Sequence, residues 1–312
     1  MIGINGKKIE ELSPQQRRRK TFFTGLLFVS PWIIGFVLFQ LYPIVMSAYY
    51  SLTEYNLFNP PEWVGLENYS ELFADDKFYL SLYNTVFITI FGLIPQLIFT
   101  LIMAVILNMN VKGKSLYRTI YFLPTLVPAI ASSLLWMWLF NSQYGLINEF
   151  LGSIGLIEPN WLLDPAYTKF AIIIMGFWGT GTNTVMYLAA LQGVPRTFYE
   201  AAEIDGANRW QKFWHITIPA ISPITLYLLI MGLIGSFQIF TQADVLGTQA
   251  QSIGGPENSM LFYAIYLYQT GFKFLNYGVA SAMAWILFII VLILTLVIFR
   301  TSARWVYYGG EN

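Results

Sequence analysis

Glu200–Pro219 reads EAAEIDGANRWQKFWHITIP, a polar stretch lodged between long apolar ones. Its composition predicts two short helices joined at Asp205-Gly206. Thr197-Phe198-Tyr199-Glu200 has the spacing of a capping box, with Thr197 opening the first helix and Glu200 reaching back to it. Pro195 blocks continuation of the preceding apolar helix, and Ala201 and Ala202 are strong helix formers of little bulk. Gly206 suits the left-handed position that closes a helix. Asn208 to Gln211 repeats the cap signal and opens the second helix, Phe213, Trp214 and Ile216 give it an apolar side, and Pro219 ends it and admits the next apolar run. A mostly lipid-embedded chain has little reason to carry such an element unless something outside the bilayer grips it. An amphipathic helix lying on the inner leaflet is the plainer alternative, but such helices favour Lys and Arg on the polar face. This one mixes Glu203, Asp205, Arg209 and Lys212.

The surrounding chain is that of an integral membrane protein. Of its 312 residues 56% are hydrophobic, 18% aromatic and only 11% charged, where soluble domains carry about 25% charged residues. A spanning helix needs about 20 apolar residues, and six segments qualify: Phe22–Ser47, Leu82–Leu107, Ile120–Phe140, Phe170–Leu191, Ile221–Thr241 and Val279–Phe299. The basic N-terminal stretch runs directly into the first of them with no small-residue cleavage site close behind, unlike a signal peptide. An all-α six-helix bundle is expected, with a basic tail over 1–20, a membrane domain over 21–305 that carries the hairpin 200–219, and a C-terminal tail over 306–312.

Charge sets the orientation. The 17 basic and 17 acidic residues cancel overall but not locally. Lys7, Lys8, Arg17, Arg18, Arg19, Lys20, Lys112, Lys114, Arg118, Arg196, Arg209, Lys212, Arg300 and Arg304 all fall on one side of the six spans, leaving only Lys77, Lys169 and Lys273 on the other. By the positive-inside rule both termini and the hairpin are cytosolic. The basic N-terminal run beside a span fits an anchor at anionic lipid rather than a nucleic-acid site.

The six spans contain no Asp, Glu, Lys or Arg, which argues against proton relays and against a site for a strongly charged solute. Their polar groups are neutral: Asn84, Gln96, Thr180, Thr182, Asn183, Ser236, Gln238, Thr241 and, at the outer edge, Gln242, interleaved with Trp178, Tyr187, Phe237 and Phe240. Amides and aromatic faces suit a sugar, whose hydroxyls need donors and acceptors and whose C–H faces pack on rings. The same groups also serve to join helices in a bundle.

Several chemistries are excluded. With no Cys and the single His215, the chain offers no Cys nucleophile, no Cys-based zinc site and no paired acids within a span, so no catalytic or metal-ligating residue is assigned. Gly113-Lys114-Ser115 resembles the end of a phosphate-binding loop, but the required Gly at 108 is Asn108. A motor must therefore lie on another chain. A channel or secondary carrier working alone is the rival from another class.

EAA-x-x-DGA followed by Phe213 and Pro219 resembles the coupling loop of binding-protein-dependent importers of the ABC class, matching at Glu200, Ala201, Ala202, Asp205, Gly206, Ala207, Phe213 and Pro219. Gly254-Gly255-Pro256 before the last span and PEWVGLENY in the first external loop resemble the sugar-uptake branch. The resemblance implies a permease of the bacterial or archaeal cytoplasmic membrane, paired with a second related permease. It implies two cytosolic ATPase subunits that hold ATP and magnesium, this chain binding no cofactor itself, and an extracellular or periplasmic solute-binding protein that delivers the sugar. It also places a sugar site on the fourth and fifth spans, here Trp178, Thr182, Asn183, Tyr187, Ser236, Gln238, Phe240 and Gln242. Another polar solute, such as a glycerol phosphodiester, is the alternative cargo.

Overall fold

The computed structural model describes residues 14–250, 252 and 254–308. Lys7 and Lys8 of the basic tail and the last four residues of the C-terminal tail lie outside them. The chain forms sixteen α-helices and one two-stranded ladder among these residues. In order they are α1 (Pro14–Phe36), α2 (Tyr42–Tyr50), β1 (Thr53–Glu54), β2 (Glu62–Trp63), α3 (Glu67–Phe73), α4 (Asp76–Ile88), α5 (Ile94–Asn108), α6 (Lys114–Phe122), α7 (Ala129–Leu139) and α8 (Leu146–Ser153). There follow α9 (Pro165–Trp178), α10 (Gly181–Gly193), α11 (Arg196–Ile204), α12 (Arg209–Lys212), α13 (Ile218–Phe237), α14 (Thr241–Gly247), α15 (Tyr263–Tyr268) and α16 (Tyr277–Ser302). The strands pair antiparallel, Thr53 opposite Trp63 and Glu54 opposite Glu62.

Four helical stretches are long and apolar enough to cross a membrane: Arg18–Tyr50, Asp76–Asn108, Arg209–Gly247 and Tyr277–Ser302. A fifth is reached if Lys114–Leu126 and Ala129–Leu139, bent by 98°, count as one. The expected fourth span, Phe170–Leu191, is instead two helices, α9 and α10, of 14 and 13 residues. Neither is long enough to span alone. The break falls at Gly179-Thr180, where the Thr180 hydroxyl bonds Phe177 O (2.9 Å) and pairs with the Tyr121 hydroxyl (2.7 Å).

Prolines shape the long helices in a way the sequence reading missed. Pro43, Pro95 and Pro219 each stand two residues beyond a π-turn, Val37–Leu41, Thr89–Leu93 and Phe213–Thr217 respectively. Proline has no N–H, and its ring presses on the carbonyl four residues back. Widening the preceding turn relieves that pressure without breaking the helix. Pro219 therefore does not end the hairpin's second helix, as expected, but lets it run on into α13. The cap expected at Thr197 is also absent. Pro195 has extended backbone (φ −60°, ψ 132°) and itself stands at the N-cap, so α11 begins at Arg196 with Thr197 already inside it and no side-chain cap.

Three other starts follow ordinary capping chemistry. Asp75 accepts from Lys77 N (2.9 Å), Asp164 from Ala166 N (2.9 Å) and Asn276 from Val279 N (3.2 Å), opening α4, α9 and α16.

Two ends of the bundle differ. One carries the α11–α12 hairpin. The other carries the ladder, α3, α8 and an inward-folded segment, 254–262. There Met260, Leu261 and Phe262 are fully buried against Ile88, Trp136, Trp161 and Ile172. Asn84 donates to Asn258 O (3.0 Å) and Leu261 O (3.1 Å), Thr168 to the Ser259 hydroxyl (2.9 Å), and Tyr263 N to Thr85 Oγ1 (2.9 Å). The turn needs three left-handed residues, Gly255 (φ 69°), Glu257 (φ 49°) and Asn258 (φ 58°). The segment that follows Gly254-Gly255-Pro256 is thus a roof packed into the bundle. A second core, around Tyr187, Ala104, Ile221 and Leu228, closes α5, α10 and α13 together nearer the hairpin.

Candidate functional site

Between the roof and the lower core lies a cavity of about 660 Å³. It forms where three helical paths are interrupted at one depth: the α9–α10 break, the α6–α7 bend at Pro124 to Val127, and the end of α13 at Gln238. Its walls include Trp178, Thr182, Asn183, Ser236, Gln238 and Gln242. The structure therefore brings together six of the eight residues the sequence nominated. Ser236 is already engaged, with Thr89 (2.8 Å) and Leu233 O (2.8 Å).

The other two lie elsewhere. Tyr187 is 1% exposed and sits one turn nearer the hairpin, in the lower core. Phe240 packs edge-on against Tyr268 (ring centroids 4.9 Å) beneath the roof.

Several lining residues were not nominated: Gln96, Thr125 and Ser132, and the glycines Gly92, Gly176, Gly179, Gly232 and Gly235. Gln96 is an amide in an apolar run, the signal that marked Asn183. At Gly176 a Cβ would collide with the Gln96 amide, so this glycine makes room for that side chain at the wall. No charged residue lines the cavity. Its neutral donors, acceptors and indole face can hold hydroxyls and C–H surfaces and offer nothing to neutralise an ion.

The hairpin is the second site. Gly206 carries φ +76°. α11 is closed by Asp205 N to Ala201 O (3.1 Å), Gly206 N to Glu203 O (3.1 Å) and Ala207 N to Ala202 O (2.8 Å). Asn208 and Gln211 form a reciprocal capping box, with Gln211 N donating to Asn208 Oδ1 (2.9 Å) and Asn208 N to Gln211 Oε1 (2.8 Å). Lys212 Nζ meets Glu203 Oε1 at 2.7 Å and ties the two helices. The hydrogen bond from Lys212, and then its charge, hold the Glu203 carboxyl below the usual carboxylate range. His215 contacts Gln211 O (3.0 Å), a local helix contact. Glu200, Ala201, Asp205 and Gly206 are exposed, Ala202, Ala207, Phe213 and Pro219 half-buried. The hairpin also exposes Ile204, at 88%, and Trp210 and Trp214. An isoleucine so bare beside EAAE was a readable signal that the motif pattern did not include.

One helical path joins the two sites. α12, the π-turn and α13 follow without a break from Arg209 to Phe237, so the hairpin's second helix and the cavity wall at Ser236 belong to one rod.

Comparison with known proteins agrees with this architecture. Residues 96–306 match the family model described as binding-protein-dependent transport system inner membrane component. The probable ABC transporter permease protein YesP of Bacillus subtilis is 36% identical over 312 residues, 99% of this chain and all of that one. The arabinooligosaccharides transport system permease protein AraP of the same organism is 33% identical, covering 92% of this chain and 90% of its own. Among solved structures, a chain of a bacterial alginate ABC transporter, crystallised with an alginate pentasaccharide-bound periplasmic protein, superposes with a TM-score of 0.79. It covers 95% of this chain and 98% of its own at 23% identity, a likeness of fold. The chain belongs to the binding-protein-dependent transport system inner membrane components, the permease subunits of ABC transporters.

Proposed function

We propose that this chain is the sugar-conducting permease of an ATP-driven importer, taking a neutral oligosaccharide. The observation that carries the reading is the pairing of an uncharged, amide- and indole-walled cavity with an exposed hairpin on the same helical rod. A displacement imposed on α12 is delivered along roughly 40 Å of helix to the wall of the cavity. Six crossings with cytosolic termini, which the charge distribution supports, put that hairpin on the cytosolic face. There Glu200, Ala201, Ala202, Asp205, Gly206, Ala207, Phe213 and Pro219 seat the hairpin in one of two ATPase subunits, and ATP and magnesium are held on those subunits. A second related permease completes the pathway, and a solute-binding protein docks at the ladder end and delivers the sugar.

The relatives support a carbohydrate cargo, AraP being named for arabinooligosaccharides. The neutrality of the cavity disfavours a glycerol phosphodiester, whose charge wants basic groups. Trp178, Thr182, Asn183, Gln238 and Gln242 contact the sugar directly. Ser236, whose hydroxyl donates to Leu233 O, contributes as an acceptor, and Tyr187 and Phe240 support the walls from below and above.

Co-expression with candidate permease, ATPase and binding-protein partners, followed by reconstitution in lipid, tests this. The expected result is ATP hydrolysis stimulated by one sugar-loaded binding protein, with labelled oligosaccharide accumulating inside. Solute movement by the chain alone, without an ATPase, refutes it.

A further inference from the structure

Two buried side-chain polar atoms have no hydrogen-bond partner among the described residues, the acceptor Asn84 Oδ1 and the donor Trp136 Nε1. Each stands one helical turn from a cavity-lining residue, on the roof side. Asn84 is fully buried one turn above Ile88, a cavity-lining residue of α4, and its Nδ2 holds the roof carbonyls of Asn258 and Leu261. Trp136, 9% exposed, stands one turn above cavity-lining Ser132 on α7 and belongs to the same apolar cluster as Ile88 and Leu261. Its ring meets Trp178, a wall of the cavity, edge-on at 6.2 Å.

Other buried polar side chains among the described residues are engaged. Trp161, an indole in the same cluster, donates to Asn148 Oδ1 at 2.7 Å, and Tyr263, fully buried, donates to Met283 O at 2.8 Å. Leaving a buried donor unpaired forfeits its desolvation energy, and a phenyl ring in the same place forfeits nothing. An indole that remains there, with an idle acceptor likewise one turn from the cavity lining, suits a ligand group that both accepts and donates. A hydroxyl does both, and the two indole rings beside it suit the C–H face of a sugar.

We propose that Trp136 Nε1 and Asn84 Oδ1 form a gate subsite that binds sugar hydroxyls in the layer under the roof, before the sugar settles among Trp178, Asn183 and Gln238. This rests on the sugar-permease reading above and adds to it a station outside the cavity lining. In the roofed structure the station is closed. Passage requires segment 254–262 to lift off α4, which frees the Asn84 amide for the incoming sugar as well.

The test uses the whole reconstituted complex and Trp136→Phe, which removes the donor and keeps an aromatic ring. Labelled arabinotriose and maltotriose are the first probes. The expected result is that half-saturating sugar for uptake rises about threefold to tenfold, the loss of one neutral hydrogen bond. The maximal rate, sugar-independent ATPase activity and thermal midpoint stay at or above wild type. Trp136→Tyr, which restores a donor, recovers part of the affinity, whereas a steric role treats Phe and Tyr alike. Half-saturation within twofold of wild type for Trp136→Phe overturns the proposal, as does equal loss in the Phe and Tyr variants. If the wild-type complex takes up no neutral oligosaccharide, the function reading itself fails, and the gate subsite falls with it.

Discussion

Replacing Gly206 tests whether the hairpin works as a rigid lever. The residue holds φ +76°, and a Cβ built there meets nothing within 4 Å. Substitution therefore introduces no clash, and its whole effect is conformational. An L-residue in the left-handed region costs about 1–2 kcal/mol, which lowers the ratio of formed to unformed hairpin roughly fivefold to thirtyfold. Asn tolerates that region better, so Gly206→Asn loses less than Gly206→Ala. Gly206→Pro is the severe case, because the ring fixes φ near −65° and removes the N–H that bonds Glu203 O at 3.1 Å. None of these changes touches the bundle core, so the membrane bundle folds in every case. The assay is binding-protein-stimulated ATPase activity and sugar uptake of the reconstituted complex, with assembly checked by size-exclusion chromatography. The expected order of uptake is Gly, Asn, Ala, Pro. Wild-type stimulation and uptake by an assembled Gly206→Pro complex would refute the coupling assignment and with it the lever argument.

Other expectations are more local. Asn208→Ala removes the reciprocal cap and destabilises the start of α12 by about 1 kcal/mol, read as weaker ATPase stimulation at unchanged assembly. The double substitution Asn183→Ala, Gln238→Ala raises half-saturating sugar for uptake at equal expression, and unchanged kinetics would remove both amides from the sugar path. Gly278→Ala drives a Cβ into the Thr53 carbonyl and the Asn68 amide, and the thermal midpoint of the complex falls by an amount matching about 1–3 kcal/mol. The Glu203–Lys212 pair holds a depressed carboxyl. Its contribution is therefore present above the ordinary carboxylate range and is lost as pH falls through the lowered value. Glu203→Gln should flatten that acid limb of the ATPase profile and change little at neutral pH, because the pair is exposed.

The helices legible in sequence were those whose apolar run does all the work. Phe22–Ser47, Leu82–Leu107 and Val279–Phe299 lie within long helices because lipid demands length and nothing else. Phe170–Leu191 has the same look and is broken, since its interruption at Gly179-Thr180 is stabilised from outside the run, by Tyr121. The burial of the roof is hidden in the sequence for a related reason. Gly254-Gly255-Pro256 signals a turn, but Met260-Leu261-Phe262, after three polar residues, is the apolar wedge that turns it inward.

At the cavity, Asn183 and Gln238 could be picked out because an amide in an apolar run needs a reason. Tyr187 lies one turn from Asn183 on the same helix, and no composition signal shows that α5 and α13 have already closed around it. Depth, not residue type, separates the two. At the hairpin, Gly206 and the Asn208–Gln211 box were readable because caps are local chemistry. Thr197 was misjudged because Pro195 competes for the same role two residues earlier.

In Arg18–Tyr50, none of the most apolar window is buried by the rest of the chain. Phe22, Leu27, Phe28 and Trp32 face outward, and the chain holds this helix chiefly at its far end, where α2 meets α16 and Trp285 donates to the Ser47 hydroxyl at 3.2 Å. Lipid alone satisfies this helix, so it needs no contact with the other segments to hold its apolar face. Alkyl tails solvate leucine as well as another helix does, so truncating its side chains leaves no void in the fold. Substitutions there belong to a different ledger from those at Leu72 or Tyr263. They alter what the helix meets in the membrane and leave the stability of the remaining bundle untouched.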